Sequence, residues 1–112
     1  MRLAAYGHGV DVTQQLRAQI EERILAELGQ FGRRVGRVTV RLHRPADDGG
    51  DLWTCHILVE LLPSGGLGLG DTGCGPLGAL DRAAGRLATA VALQLAIKRG
   101  HRDSRATAYA LR

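Results

Sequence analysis

Arginine is the residue type here with the numbers and spacing to do chemistry, and that chemistry is the binding of polyanions. Arg33, Arg34, Arg37, Arg41 and Arg44 crowd residues 33–44 with no acid among them. Lys98, Arg99, Arg102 and Arg105 crowd IKRGHRDSR, residues 97–105, against Asp103 alone. A guanidinium fork grips phosphate bidentately, so two basic clusters separated by acidic ground suggest a polyanion partner. The 112-residue chain carries Lys+Arg 15 against Asp+Glu 11, a net charge of +4. Residues 1–32 and 45–97 are net acidic, so the excess is local. The competing reading of the same charges is two solvated, loop-rich ends.

Other chemistry finds less support. GLGDTG at 68–73 fits GxGxxG, but no further strand follows its helix and no acid lies near position 93. A dinucleotide site needs both, so the segment reads as a glycine-rich strand and loop. His43 and His56 fall on outward strand positions, and two histidines without a third ligand make a poor metal site. Asp81 suits the positive start of a helix. No second carboxylate, Ser–His pair or activated cysteine stands with it, so the sequence predicts no enzyme, cofactor or metal. Cys55 and Cys74 form neither a CxxC nor a zinc pattern, and Cys55 on an apolar strand face reads as a buried free thiol.

The chain is long enough for one domain that buries about two thirds of its unfolded surface. MRLAAYGHG lacks the apolar core of a signal peptide, and the longest nearly apolar run, LATAVALQLAI at 87–97, is about half a membrane span. A cytoplasmic location with no membrane partner is expected.

The elements that must position these residues follow from periodicity. RLAAY at 2–6 is a short strand. Asp11 and Thr13 are helix-capping types. Leu16, Ile20, Ile24 and Leu28, joined by Leu25 and Phe31, make one face of a helix over 13–29 that ends near Gly29 and Gly32. RVTVRLHR at 37–44 alternates, with Val38, Val40 and Leu42 inward. PADDGG at 45–50 is turn chemistry. LWTCHILVEL at 52–61 alternates again, with Trp53, Cys55, Ile57, Val59 and Leu61 inward. PSGG turns into a weak strand carrying Leu67 and Leu69. Pro76 opens a second helix over 76–99, with a core stripe of Leu77, Leu80, Ala84, Leu87, Val91 and Leu95 and an end at Gly100. The order is β-α-β-β-β-α. The fold class is α+β: a four-stranded sheet with both helices on one face, the first two strands parallel and the rest antiparallel. Leu93 and Ile97 fall on the outer helix face. There they either form a protein contact or are covered by the C-terminal tail with Tyr109 and Leu111.

With these elements placed, the chain resembles the ribosome hibernation promoting factor family, also called ribosome-associated translation inhibitor or sigma-54 modulation protein. GVDVTQQLRAQIEERI (9–24) is similar to its first strand-to-helix junction, VGRVTVRL (35–42) to its second strand and TCHILVEL (54–61) to a strand that often carries a cysteine there. GPLGALDRAAGRL (75–87) is similar to its alanine-hydrophobic-aspartate helix start, with Ala79, Leu80 and Asp81 in those places. The resemblance covers residues 1–102 as one domain and leaves 103–112 as a C-terminal tail. It departs from the family at Leu77, which replaces a common aromatic, at Glu27, and at Thr89 and Leu93, where the family commonly has Lys or Arg.

The resemblance implies a fold like the double-stranded-RNA-binding domain. It also implies a partner, the small ribosomal subunit and its 16S-type RNA. In the family the domain occupies the messenger and transfer RNA cleft and blocks translation in resting or stressed cells. A short member works with a separate ribosome-dimerising factor. Arg17, Arg23 and Arg86 keep the family's basic character on the helices. Arg82, Lys98, Arg99 and Arg102 extend it by proximity. The alternative is a divergent interaction module of the same fold, a homodimer through Leu93 and Ile97 with weakened RNA binding.

Overall fold

The computed structural model describes residues 1–9, 11–44 and 51–97. The PADDGG turn, Gly100, the basic stretch from Lys98 through Arg99, Arg102 and Arg105, and the tail at 103–112 lie outside the described residues.

Seven elements follow one another: β1 (Arg2–His8), α1 (Gln14–Leu28), a 3-10 segment (Gly29–Arg34), β2 (Val35–His43), β3 (Leu52–Leu61), β4 (Gly66–Cys74) and α2 (Gly75–Ala84). A further helix, α3, covers residues 87–97. The sheet order is β1-β2-β3-β4, with β1 parallel to β2 and both other pairs antiparallel, as the periodicity predicts.

Thr13 caps α1, its hydroxyl accepting from the Leu16 backbone N–H at 3.1 Å. The helix stops where Gly29 opens the 3-10 segment, and Gly32 takes a φ of 53° that favours glycine. Ile20, Ile24 and Leu28 are buried, but Leu25 faces solvent instead of joining that stripe. It lies one residue past Ile24, about 100° around the helix.

The inward residues of β2 and β3 form a single core with Ile20, Ile24 and Leu28 of α1, Leu80 and Ala84 of α2, and Leu87 and Val91 of α3. Both helical layers therefore cover the same sheet face. Each fully buried Leu, Ile or Val there contributes about 1.5–3 kcal/mol relative to leaving it in water.

Two expectations need correction. The second helix is not one run over 76–99 but breaks at residues 85–86. Gly85 is a weak helix former, and the Arg86 N–H donates to the Ala83 carbonyl at 3.1 Å, three residues back instead of four. The apolar stripe survives the break except at Leu77, which is 40% exposed. The glycine-rich strand, expected to be weak, runs nine residues and pairs with β3 along its whole length. Gly73 makes that docking possible, since a Cβ there would lie 2.6 Å from the Gly78 carbonyl carbon at the start of α2.

Candidate nucleic-acid interface

The four described arginines expected at an RNA surface all lie on the helical side, and all are paired with carboxylates. On α1, Arg17 Nε lies 3.7 Å from Glu21 Oε1, and Arg23 Nη1 donates to Glu27. Arg23 also donates through Nε to Asp81 Oδ1 of α2 at 3.3 Å. The Glu27 hydrogen bond, with Asp81 adding to it, raises the Arg23 pKa above its ordinary value against the opposing pull of partial burial. Asp81 thus holds α1 to α2, beyond the simple complement to a helix start that its position suggests.

Arg82 and Arg86 share Asp71 of β4, at 3.7 and 3.6 Å. Arg86 Nη1 also donates to the Gly70 carbonyl at 2.9 Å. That bond satisfies one acceptor on the open edge of β4. Four arginines on this side therefore meet Glu21, Glu27, Asp71 and Asp81. Exposed pairs of this kind are worth about 0–1 kcal/mol, so a phosphate can displace the carboxylate, but the local field is close to neutral.

The opposite face of the sheet has the reverse balance. Strand register aligns Tyr6, Arg41, His56 and Gly70 in one row across four strands. The next row holds His8, His43, Thr54 and Thr72. Arg2 stands opposite Arg37 at one end. The His8 and His43 rings stack with centroids 5.0 Å apart. No ion pair among the described residues engages Arg2, Arg37 or Arg41. Glu60, the acid on this face, accepts from the Arg37 backbone N–H at 3.3 Å.

His43 and His56 lie outward on neighbouring strands as alternation predicts. Among the described residues no cluster of three or more His, Cys, Asp or Glu is placed to hold a metal. Tyr6 and His8 were missed as surface partners because only the parallel register of β1 brings them beside Arg41 and His43. GLGDTG lies within β4, not in a strand-to-helix loop. Gly68 and Gly70 leave room for β3 side chains: a Cβ at either would lie 2.8 Å from Leu58 Cδ2 or His56 Nδ1. Cys55 is buried and free, and burial pushes its thiol up to about 12.

Among the described residues, no helix is long and apolar enough to cross a membrane. No family profile matches the sequence, and no curated protein sequence does. Solved structures do match. A ribosomal subunit interface protein from Coxiella burnetii superimposes with a TM-score of 0.73 at 17% identity, covering 86% of this chain and 99% of that one. The N-terminal domain of Protein Y from Thermus thermophilus gives 0.67 at 24% identity, covering 81% of this chain and 96% of that one. The fold expected from the sequence is the fold these proteins share.

Proposed function

We propose that this chain is a ribosome-binding translation inhibitor of the hibernation factor type. It occupies the messenger and transfer RNA cleft of the small subunit in stressed or resting cells, by bulk and charge and not by catalysis. The observation that carries this reading is the end-to-end likeness to a ribosomal subunit interface protein, which leaves almost none of that chain unmatched. Arg82 and Arg86 share a single carboxylate and so keep one positive charge in excess at the β4 edge. Lys98, Arg99 and Arg102, next in sequence after α3, supply further phosphate contacts in this reading, and Arg17 and Arg23 exchange Glu21, Glu27 and Asp81 for phosphate. A cytoplasmic location and a separate ribosome-dimerising factor belong to the same proposal.

Pelleting with purified small subunits tests it. If about five cations meet phosphates, a fourfold rise in salt weakens binding roughly a hundredfold to a thousandfold. Absence of the protein from the pellet in dilute buffer overturns the reading.

A second reading rests on Leu93 and Ile97, which are 60% and 54% exposed on α3. It makes the chain a homodimer through that apolar patch. A salt-resistant dimer absent from ribosomal fractions in a sucrose gradient favours it.

A further inference from the structure

The helical side and the open sheet face differ in how their cations are satisfied. On the helices every described arginine of α1 and α2 and the adjoining Arg86 has a carboxylate. On the sheet, Arg37 and Arg41 stand four residues apart on β2, about 13 Å along the strand, with side chains in no ion pair among the described residues. Arg41 also sits directly opposite His56 and beside Tyr6, and Arg2 opposite Arg37. Like charges directly opposite each other destabilise a sheet. Among the described residues no ion pair relieves Arg2, Arg37 or Arg41.

Rings accompany these cations. Tyr6 is 57% exposed, and the His8–His43 stack lies one row away. Tyr6, His8, Arg37, Arg41, His43 and His56 together line one open trough. Beyond them, Gly66, Gly68 and Gly70 occupy successive outward positions of β4, so that flank carries no β4 side chain until Thr72. An open trough with exposed rings, and with guanidinium groups in no ion pair among the described residues, is complementary to unpaired bases and their phosphates. Duplex RNA offers no free base faces to such rings.

We infer that the open face of the sheet binds single-stranded RNA, with Arg37 and Arg41 on phosphates and with Tyr6 and the exposed imidazoles stacking on bases. This surface is separate from the helix-side arginines and stands whether or not the chain binds ribosomes.

Fluorescence anisotropy with a labelled, unstructured 12-nucleotide RNA tests it on the full chain, beside a 12-base-pair RNA duplex and a polyglutamate peptide. The single strand is expected to bind most tightly. Arg37→Gln with Arg41→Gln should weaken it at least tenfold and flatten its salt dependence. Tyr6→Ala should weaken it about fivefold or more, and Tyr6→Phe should restore it, which a merely structural role of the hydroxyl or of the charge would not reproduce. Arg82→Gln with Arg86→Gln should leave it within twofold. The inference is overturned if the single strand does not bind, if the duplex or the acidic peptide binds more tightly, or if only the Arg82 and Arg86 variant loses affinity. Loss of oligonucleotide binding with intact ribosome pelleting removes this inference alone. Oligonucleotide binding without pelleting removes the ribosome reading alone.

Discussion

Arg23 reaches from α1 to Asp81 of α2 across 3.3 Å, so the aspartate that marks the helix start in the sequence is spent on tying two helices together. Arg23 is held on its other side by Glu27, and the three side chains form one network, half-buried at Arg23 and Glu27 and exposed at Asp81. Asp81→Asn should therefore cost at most about 1 kcal/mol, because the aspartate is largely in water. A thermal melt should show a drop of a few degrees that shrinks in half-molar salt.

Removing the positive charge of Arg82 and Arg86 should lower small-subunit affinity about tenfold while the salt slope falls by about two. Glutamine is the better replacement at both sites. A glutamate would face Asp71, which lies beside both arginines, and would add repulsion to the loss of contact. Binding unchanged in the glutamine variant would place the ribosomal contact elsewhere.

Gly73→Ala should destabilise the fold by about 1–3 kcal/mol, since the new methyl meets the Gly78 and Ala79 backbone at 2.6 and 2.7 Å. Backbone cannot swing aside as a flexible side chain can. Gly29→Ala is the contrast: nothing lies within 4 Å of its Cβ position and its φ is −57°. That substitution should be neutral or add about 0.4–1 kcal/mol by restricting the unfolded chain. Urea titrations of the two variants check both signs.

A thiol reagent at neutral pH should label exposed Cys74 promptly and reach buried Cys55 only on unfolding. Burial raises the Cys55 pKa from 9.0 to about 12, so the folded state keeps the thiol protonated where the unfolded chain releases it. The unfolded state then binds fewer protons, and stability falls as pH rises above 9, by about 1.4 kcal/mol per unit from this group until about 12. Below pH 9 the effect is absent. Cys55→Ala should abolish that share of the alkaline loss.

Much of this protein was already determined by residue order. A period of two in VTVRLH and WTCHILVEL, and of four in Leu16, Ile20, Ile24 and Leu28, fixes which atoms leave water, and burial follows the same rule in any compact arrangement. The element order and the sheet with two helical layers on one side follow from that pattern. So do the i, i+4 pairs Arg17–Glu21 and Arg23–Glu27, although the positive residues draw the eye first.

Tertiary structure decided where charge survives. Asp71 offsets one of the two charges of Arg82 and Arg86 only because β4 packs beside α2, and the parallel pairing of β1 brings Tyr6 and His8 to Arg41 and His43. It also decided the break at Gly85 and the fate of the GxGxxG letters, which the β3 ladder draws into a strand. Local sequence sets each side chain's direction, but a Coulomb partner or a stacking partner is chosen by distance in space. That distance depends on register between segments far apart in the chain.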